Sequence, residues 1–485
     1  MAVSLSRLVA GEVPLAHGGD VLITGLTADS RAVKPGFLFA ALPGTTVDGA
    51  KFVPQALAAG AAAVLCGHAV ETGGAPSIVS ANPRQLFAKM AARFYGRQPD
   101  NIVAVTGTSG KTSIASFVRE IWTAMGMRAA SLGTVGIVSP AGHFELEHTT
   151  PDPAQLQEAV ARLKDDHVDH LAIEASSHGL DQYRLDGLRL SAGGFTNLSH
   201  DHLDYHPSTE AYFDAKMRLF EELLPKGAPA VINMDTAKGP EAARRAAAAG
   251  LTVFSVGKAG HDLKLISVTA DALGQQLEID ARGQRVHVDL PLVGAFQVSN
   301  ALVAAGLVLS TGGEPAQVFH ALASLKGARG RLELVGQSAA GAPVFVDYAH
   351  KPDALENAIS ALRPFVKNKL VVVFGCGGDR DRAKRPIMGE IAARLADRVI
   401  VTDDNPRTEE PASIRAAIMA AAPGAVEIGN RAEAIRHAVQ SSSAGDVVLV
   451  AGKGHEEGQK IGKQVLPFSD HEAVKAAIAG VAYHG

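Results

Sequence analysis

The segment Asn101–Ser113 reads NIVAVTGTSGKTS, an apolar run followed by a glycine-rich turn and then by Lys-Thr-Ser. Residues 102–105 predict a buried strand, and an amphipathic helix follows the turn. Glycines let backbone N–H groups turn toward an anion, and the helix N-terminus adds partial positive charge. Gly107–Ser113, here the phosphate loop, is therefore predicted to bind a nucleotide, with Lys111 reaching the phosphates and Thr112 ligating Mg²⁺.

The match to a phosphate-binding pattern is incomplete at one position. The full pattern has glycine where this chain has Val105. A plain glycine-rich turn between a strand and a helix is the alternative, but such a turn does not require Gly110, Lys111 and Thr112 in that order. We therefore expect a nucleotide here despite the missing glycine.

Strand, glycine loop and amphipathic helix repeat from residue 101 onward, which predicts a mostly parallel sheet covered on both faces. Residues 276–280 and 285–290 alternate polar and apolar side chains, which is typical of an antiparallel hairpin appended to that sheet. A second, Rossmann-like α/β sheet is predicted by four short apolar runs, at residues 344–346, 370–374, 399–401 and 447–450.

The first segment mixes short apolar runs with turns, and residues 84–95 predict a helix that Gly96 ends, so a small α/β domain is indicated. Residues 96–100 and 327–330 resemble linkers. We therefore predict an α/β protein of three domains, at residues 1–97, 98–328 and 329–485.

Composition excludes several classes of protein. The 46 lysines and arginines against 50 aspartates and glutamates give a net charge of −4, unlike a dedicated nucleic-acid-binding protein. Two distant cysteines, Cys66 and Cys376, exclude a disulfide framework and a cysteine zinc site. No secretory leader and no run of about 18 apolar residues is present, so we expect a cytoplasmic protein without membrane insertion.

Carboxylates and histidines follow two of the central strands. The strand at residues 171–173 ends in Glu174, where a carboxylate beside a phosphate loop can hold Mg²⁺. The segment Asn197–His206 is dense in histidine and aspartate. A zinc site and a solvated loop are the alternatives, but no His-Glu-x-x-His or Cys/His frame supports zinc. We therefore predict that this segment helps to bind a second metal ion and the phosphates.

A second glycine cluster, Gly375–Arg380, has arginine where a dinucleotide fingerprint needs its third glycine. We interpret it as a turn that lets Arg380 face a ligand.

Nine motifs in order resemble those of the Mur ligase family of peptidoglycan synthesis, and the resemblance covers essentially the whole chain. They are Asp29-Ser30-Arg31, Gly107–Thr112, Thr149–Asp152, Glu174–Leu180, His200–Asp204, Gly330–Glu333, Asp347–His350, Asp404–Arg407 and Gly452–Glu456. Any one could be chance, whereas the ordered set is highly specific.

The resemblance implies an ADP-forming amide ligase. The family member it indicates adds meso-2,6-diaminopimelate to the D-glutamate γ-carboxylate of UDP-N-acetylmuramoyl-L-alanyl-D-glutamate through an acyl phosphate. The three domains would then bind UDP, ATP and the amino acid in chain order, with the last closing over ATP. The resemblance also implies Mg²⁺, a role in cell-wall biogenesis, cell shape and division, small-molecule partners only, and a monomer.

The same resemblance assigns residues to the nucleotide and the UDP-sugar peptide. For ATP they are Gly107, Thr108, Ser109, Gly110, Lys111, Thr112, Ser113, Asn300, Arg331 and Asp347. For UDP they are Ala28, Ser30, Thr45, Thr46 and Val47. For the muramoyl-dipeptide they are His148, Thr149, Thr150, Ser176, Gln182 and Arg184. Many relatives have asparagine in place of His148.

Lys216 matches the family lysine that is carbamylated. Carbon dioxide adds only to a neutral amine, and the product replaces an ammonium with an anionic oxygen ligand for a second Mg²⁺. Without the family match, a surface lysine on an amphipathic helix would be the better interpretation. By resemblance the catalytic set is Lys111, Glu174, His202 and Lys216, and the metal ligands are Thr112, Glu174, His202 and the Lys216 carbamate.

The motif Asp404-Asn405-Pro406-Arg407 carries the choice of amino acid. Diaminopimelate differs from lysine by a distal carboxylate, which a planar guanidinium grips through two charge-assisted hydrogen bonds. The family associates this motif with diaminopimelate. Arg380, Gly452 and Glu456 match the remaining amino-acid contacts, and Glu456 suits the ammonium end.

Two rival interpretations remain open. Another ligase of the superfamily, such as folylpolyglutamate synthase, predicts a folate site instead of the motifs at residues 29–31 and 404–407. A non-catalytic nucleotide-binding scaffold would keep the phosphate loop but has no need for Glu174, Lys216 and Arg407 together.

Overall fold

The computed structural model describes residues 2–14, 19–44, 47–146, 148–199, 201–202, 205–271 and 273–483. By packing, the chain divides into two compact units, Met1–Lys264 with Leu302–Val318, and Leu265–Ala301 with Phe319–Gly485. The predicted boundaries of three domains stay a prediction. No helix among the described residues is long and apolar enough to cross a membrane.

The first unit begins with a small α/β layer, as the sequence predicts. Its strands are β1 (Val3–Ser4), β2 (Leu22–Ile23), β3 (Gly25–Thr27), β4 (Phe37–Ala41), β5 (Ala63–Cys66) and β6 (Ser77–Val79). Its helices are α1 (Leu5–Val9), α2 (Val53–Ala58) and α3 (Pro83–Tyr95). Strands β3 to β6 form a parallel sheet in chain order. Asn82 caps α3 at its start, and Gly96, at φ 70°, ends it in the left-handed conformation that glycine adopts without strain.

A larger sheet follows in the first unit. Its strands are β7 (Asn101–Thr106), β8 (Ala129–Gly133), β9 (Gly136–Ser139), β10 (Gly142–Phe144), β11 (His170–Glu174), β12 (Ala192–Phe195), β13 (Pro229–Asn233), β14 (Thr252–Gly257) and the first two residues of β15 (Leu263–Asp271), whose remainder belongs to the second unit. Its helices are α4 (Lys111–Ala124), α5 (Pro153–Asp165), α6 (Ser177–Asp181), α7 (Thr209–Arg218) and α8 (Gly239–Ala248).

The strands of this sheet lie in the order β10-β9-β8-β11-β7-β12-β13-β14, with Leu263 and Lys264 of β15 pairing to β14. All pairs from β8 to β14 are parallel, and β9 and β10 add an antiparallel edge. Strand β7 is therefore central, with β11 and β12 on its two sides. The carboxyl ends of these three strands meet at one edge of the sheet, where ligands of parallel α/β sheets bind.

The second unit contains the predicted antiparallel hairpin, β16 (Gly274–Ala281) and β17 (Gln284–Leu290). Helices α9 (Ala295–Ser310) and α10 (Pro315–Leu322) follow, and Leu302–Val318, which covers part of each, belongs to the first unit. Its remaining strands are β18 (Glu333–Gln337), β19 (Pro343–Asp347), β20 (Leu370–Phe374), β21 (Arg398–Val401), β22 (Val426–Glu427), β23 (Val447–Ala451), β24 (Gly458–Ile461) and β25 (Gln464–Pro467). Its remaining helices are α11 (Pro352–Leu362), α12 (Lys384–Leu395), α13 (Pro411–Met419), α14 (Arg431–Gln440) and α15 (Asp470–Ala479).

Six of these strands form a sheet in the order β18-β19-β23-β20-β21-β22, parallel from β19 to β22. Val371 and Val373 join one buried cluster and Val372 and Phe374 another, so helices cover both faces. The four predicted strands are confirmed. The two edge strands, β18 and β22, are additions that the apolar runs did not indicate.

Candidate active site

The phosphate loop joins the end of β7 to α4. Gly107 has φ 151°, and a Cβ added there would lie 1.8 Å from Thr196 Oγ1. Gly110 has φ 87° and caps α4 without a side chain. Both positions therefore require glycine, as the sequence pattern predicts.

Residues after β12 hold the phosphate loop in place. The Asn197 carbonyl accepts from Thr108 N at 3.0 Å, and Asn197 Oδ1 accepts from Ser109 N at 3.0 Å. The Thr196 hydroxyl donates to the Ser109 carbonyl at 2.7 Å. The loop is thus shaped by the neighbouring strand end as well as by its own glycines.

Two lysines converge on one loop carbonyl. Lys111 Nζ donates to the carbonyls of Gly107 and Thr108 at 2.7 and 2.8 Å, and Lys216 Nζ donates to the Gly107 carbonyl at 2.9 Å. Lys216 is 1% exposed and lies 4.1 Å from the centre of the Tyr212 ring. Burial, and then the charge of Lys111, hold the pKa of Lys216 well below its usual value. Burial thus makes the neutral amine more accessible than it would be for an exposed helix lysine.

Glu174 ends β11 and is 1% exposed. Its carboxylate accepts hydrogen bonds from Thr134 N at 2.7 Å, from the Thr134 hydroxyl at 3.1 Å and from the Thr112 hydroxyl at 3.1 Å. Thr112 and Glu174 therefore bring a hydroxyl and a carboxylate together, the hard oxygen ligands that Mg²⁺ prefers. Their chemistry fits the predicted metal.

The His202 ring packs against aromatic rings, one of which contacts the phosphate loop. Its ring lies 4.9 Å from the ring of His178 and 5.9 Å from that of Tyr212, and the Tyr212 hydroxyl lies 3.3 Å from Thr108 Oγ1. His200, Leu203 and Asp204 lie outside the described residues. Within the described part of the chain, no group of three or more histidine, cysteine, aspartate or glutamate side chains could hold a metal ion.

Most of the residues predicted for the peptide form one hydrogen-bonded network beside Glu174. The Thr150 hydroxyl donates to the Glu174 carbonyl at 3.0 Å and lies 3.1 Å from the Ser176 hydroxyl. Arg184 donates to the Thr150 carbonyl at 2.6 Å and to Gln182 Oε1 at 2.8 Å.

Thr149 joins this network from the other side. Its hydroxyl lies 3.1 Å from that of Thr134, which contacts Glu174, and His148 precedes it as an exposed residue. Thr149, Thr150 and the residues that contact them therefore lie at the same edge of the sheet as the phosphate loop.

The residues predicted for UDP follow two neighbouring strands of the small sheet. Ala28 and Ser30 come after β3, and Val47, 43% exposed, comes after β4. The Ser30 hydroxyl donates to Gln55 Oε1 at 3.4 Å. Thr45 and Thr46 lie outside the described residues. The described members share one sheet edge because β3 and β4 are parallel.

In the second unit, the three remaining residues predicted for ATP are linked in a chain. Asn300 donates to Gln297 Oε1 at 3.1 Å, and Gln297 donates to the Arg331 carbonyl at 3.1 Å. Leu332 N donates to Asp347 Oδ2 at 2.6 Å. Burial raises the pKa of Asp347 to about 6, opposed by the charge of Arg331.

Tyr348 stands beside these residues. The Arg331 guanidinium lies 4.9 Å from the centre of its ring, and the rings of His350 and His455 lie 4.5 and 5.0 Å from it. Burial lowers the pKa of both histidines to about 4, so both rings are neutral near pH 7. Two neutral imidazoles and one guanidinium thus pack around the Tyr348 ring in this unit.

The segment Asp404–Arg407, here the amino-acid loop, follows β21 in the second unit. Gly378 N, after β20, donates to the Asn405 carbonyl at 2.9 Å, and Arg407 Nη1 donates to the Gly378 carbonyl at 2.7 Å. Arg407 has φ 52°, and its N–H donates to the Lys460 carbonyl of β24 at 2.9 Å. Adjacent strand ends therefore place the guanidinium that the sequence assigns to a carboxylate.

Side chains of the loop after β23 contact the amino-acid loop. Asn405 Nδ2 donates to Glu456 Oε2 at 2.9 Å, and Lys453 Nζ donates to Asn405 Oδ1 and to Glu456 Oε2 at 3.1 and 3.0 Å. Gly452 has φ 123°, and a Cβ there would lie 2.6 Å from Asp404 Oδ2. Of the residues predicted for the amino acid, Asp404, Asn405, Pro406, Arg407, Gly452 and Glu456 are thus brought together, whereas Arg380 is exposed on the turn after β20.

Asp404 is buried among other charges. Burial raises its pKa, and the charges of Arg431 and Lys453 oppose this. Arg431 forms an ion pair with Asp470 at 2.7 Å in which both side chains are fully buried.

Three contacting residues were missed by sequence reasoning: Thr134, Asn197 and Lys453. Thr134 directly follows β8, and a polar residue at the carboxyl end of a parallel strand is a signal that could have found it. Asn197 and Lys453 stand in segments that the sequence singled out for other residues.

Three family models match the chain in succession. The Mur ligase family catalytic-domain model matches residues 22–95, the Mur ligase middle-domain model residues 105–308, and the Mur ligase glutamate-ligase-domain model residues 330–454.

Curated relatives match over nearly the whole chain. It is 55% identical over 476 residues to the UDP-N-acetylmuramoyl-L-alanyl-D-glutamate–2,6-diaminopimelate ligase of Mesorhizobium japonicum, covering 97% of this chain and 98% of that protein. It is 57% identical over 461 residues to the ligase of the same name from Bradyrhizobium diazoefficiens, covering 94% and 95%.

Solved structures show the same architecture. A UDP-N-acetylmuramoyl-L-alanyl-D-glutamate–2,6-diaminopimelate ligase is similar with a TM-score of 0.74 and 34% identity, covering 99% of both chains. The MurF ligase of Thermotoga maritima in complex with ADP has a TM-score of 0.60 at 18% identity, covering 94% of this chain and 97% of that one. Folylpolyglutamate synthase of Mycobacterium tuberculosis, solved with ADP and AMPPCP, has 0.59 at 20% identity, covering 76% and 92%. The last two likenesses show the fold alone.

Proposed function

The chain belongs to the Mur ligase family, and from this we propose that it joins meso-2,6-diaminopimelate to UDP-N-acetylmuramoyl-L-alanyl-D-glutamate. The bond forms at the γ-carboxylate of the D-glutamate, and ATP is split into ADP and phosphate. The observation that supports diaminopimelate as the amino acid is Arg407, which is hydrogen-bonded to Gly378 and Lys460 in the same loop whose Asn405 donates to the ionised Glu456. A guanidinium and a carboxylate held by one loop suit the carboxylate and ammonium of the distal end of diaminopimelate.

The first chemical step activates the γ-carboxylate. One of its oxygens attacks the γ-phosphorus of ATP, the bond to the ADP oxygen breaks, and an acyl phosphate forms. Lys111 can exchange its hydrogen bonds to the loop carbonyls for phosphate oxygens, and the N-terminus of α4 adds partial positive charge toward the same anion. Assistance in this step is therefore positional and electrostatic.

The second step forms the amide. The neutral amine of diaminopimelate attacks the acyl carbonyl, a tetrahedral intermediate forms, and the carbon–oxygen bond to phosphate breaks as the nitrogen loses a proton. The Arg184 and Thr150 network holds the peptide whose carboxylate reacts. Arg407 and Glu456 hold the other end of the incoming amino acid.

Thr112, Glu174, His202 and a carbamate of Lys216 are the residues that we assign to Mg²⁺. Magnesium bound there supplies positive charge against the phosphate oxygens and the carboxylate. The buried Lys216 amine would add to carbon dioxide, forming an N–C bond and releasing a proton, to give that carbamate. The low pKa of Lys216 supports this modification.

The UDP-sugar is assigned to Ala28, Ser30, Thr45, Thr46 and Val47, and the dipeptide to the network from His148 to Arg184. The three successive family models support dividing the chain into domains at residues 1–97, 98–328 and 329–485. The protein acts in peptidoglycan synthesis, and through it in cell shape and division. We place it in the cytoplasm, where ATP is available, as a monomer.

The test is product analysis with an isotopic label. The purified protein is incubated with ATP, Mg²⁺, diaminopimelate and a UDP-dipeptide whose D-glutamyl γ-carboxylate carries heavy oxygen. We expect the UDP-tripeptide by mass spectrometry and one heavy oxygen in the released phosphate, because the carboxylate oxygen leaves with phosphorus. Absence of the tripeptide would overturn the proposed reaction, and unlabelled phosphate would overturn the acyl phosphate.

A further inference from the structure

Lys453 is a fully buried lysine in the loop after β23. Its Nζ lies 3.1 Å from Asn405 Oδ1 and 3.0 Å from Glu456 Oε2. Lysine is almost never fully buried unless it is paired, because taking an ammonium out of water is costly. Both of its partners belong to the amino-acid site, so the hydrogen bonds that offset the desolvation of this ammonium lie where the substrate binds.

The contacts of Asn405 fix which way its amide faces. Its Oδ1 accepts from Lys453 Nζ and from Lys460 N at 2.9 Å, while its Nδ2 donates to Glu456 Oε2 at 2.9 Å. A reversed amide would place N–H groups against two donors and oxygen against a carboxylate. Lys453, Asn405 and Glu456 therefore form a closed triangle that joins the ends of β21 and β23.

The triangle also orients Glu456. Among the described residues, both hydrogen bonds to its carboxylate end on Oε2, and the side chain is 33% exposed. Burial raises the pKa of Glu456, but the charge of Lys453 and the hydrogen bonds from Asn405 and Lys453 outweigh it and lower the pKa. The second oxygen, Oε1, thus belongs to an ionised carboxylate and is left to accept from a ligand.

We propose that Lys453 is a positioning residue for the amino-acid substrate: it holds Asn405 and Glu456 so that Glu456 Oε1 receives the substrate ammonium. Lys453 itself has no exposed surface and does not touch the substrate. The proposal deepens the proposed function and rests on it. It differs from the role of the buried Arg431–Asp470 pair, which ties the start of α14 to the start of α15.

The chain offers a matched control. Lys475 and Glu472 have the same spacing and a similar distance, 2.9 Å, but their side chains are 61% and 57% exposed. The variant Lys453→Met keeps most of the side-chain length and removes the charge, and Lys475→Met does the same on the surface. Michaelis constants are measured for all three substrates in wild type and both variants.

We expect Lys453→Met to raise KM for diaminopimelate by about tenfold or more, because the two charge-assisted hydrogen bonds that orient Asn405 and Glu456 are lost. The KM values for ATP and the UDP-dipeptide should change by less than about twofold, and Lys475→Met should match wild type. Equal changes in all three constants, or an unchanged KM for diaminopimelate, would overturn the proposal. A wild type that makes no UDP-tripeptide would instead overturn the proposed function, before any variant is compared.

A double variant keeps the proposal testable if Lys453→Met alone does not fold. Lys453→Met with Glu456→Gln removes both charges of the buried pair. Since Lys453 acts through its partners, KM for diaminopimelate in the double variant should lie within about twofold of that in Glu456→Gln alone. Effects that multiply would mean that Lys453 acts independently of Glu456, and would overturn the proposal.

Discussion

The phosphate loop and the amino-acid loop hold their ligand groups in different ways. In the phosphate loop, seven consecutive residues, from the end of β7 into the first turn of α4, supply the glycines, Lys111 and Thr112. In the amino-acid loop, Arg407 depends on Gly378 and Lys460, and Asn405 depends on Lys453 and Glu456. One site is continuous in sequence, and the other is assembled from the ends of different strands.

This difference determines where substitutions act. A change in the phosphate loop removes a group that contacts the reacting phosphate, so it acts on the chemical step. A change around the amino-acid loop alters the position of Arg407 or Glu456, so it acts on recognition of one substrate. Variants in the two loops should therefore separate an effect on the chemical step from an effect on recognition of diaminopimelate.

The largest effect is expected for Lys111→Ala. Losing the charge that stabilises the transferred phosphoryl group should lower kcat by about 10³-fold or more. ADP release with all three substrates measures this, and Lys226→Ala, an exposed lysine of the same unit, is the control. Full ligase activity in Lys111→Ala would refute the assignment of the phosphate loop.

Arg407→Ala should act on one substrate. Losing two charge-assisted hydrogen bonds to the distal carboxylate should raise KM for diaminopimelate by about 10²-fold. Lysine lacks that carboxylate, so its KM should change little. Arg382→Ala, whose side chain is 74% exposed, is the control. Unchanged kinetics with diaminopimelate would contradict the proposal that Arg407 binds its distal carboxylate.

A pair of glycine substitutions sharpens the contrast further. A Cβ at Gly107 would lie 1.8 Å from Thr196 Oγ1, and one at Gly378 would lie 1.9 Å from the Pro406 carbonyl oxygen. We expect Gly107→Ala to lower kcat/KM for ATP, and Gly378→Ala to lower kcat/KM for diaminopimelate, each by about tenfold. At Gly67 the nearest atom is 3.6 Å away, so Gly67→Ala should match wild type. Two variants with the same substrate profile would contradict the separation of the loops.

The smallest effect concerns stability against pH. The pKa of His455 is about 4 in the folded protein against an ordinary value of 6.5, because burial disfavours the charged ring. The unfolded chain therefore binds a proton first, and the free energy of unfolding falls as pH drops from 6.5 toward 4. His455→Gln should lose less stability over that range, by about 1 kcal/mol after allowance for partial exposure.

Urea unfolding near neutral pH and at about pH 4.5 checks this prediction. His320→Gln, an exposed histidine of the second unit, is the control. An acid-induced loss equal to that of wild type would show that burial of His455 does not contribute.

The sequence predicts the phosphate loop and its flanking elements closely because their determinants are local. Residues 102–105 were predicted as strand and β7 spans Asn101–Thr106, while the predicted strand at 370–374 coincides with β20. Apolar runs ending in glycine or polar turns carry that information within a few residues. The roles of Asn300, Arg331 and Asp347, in contrast, came only from resemblance.

The missed contacts are long-range. Thr134 and Glu174 are 40 residues apart, and Asn405 and Lys453 are 48 apart, so no local pattern pairs them. The edge strand β22 has two residues, Val426–Glu427, too few to show a period. Such pairings become visible only when the order of parallel strands is known.

The most direct test measures phosphate release with the UDP-dipeptide and ATP, adding either diaminopimelate or lysine. We predict release that requires the dipeptide and is much faster with diaminopimelate, because only its distal carboxylate reaches Arg407. Equal rates with lysine, or release that does not depend on the dipeptide, would contradict the assignment of this chain as a diaminopimelate-adding ligase.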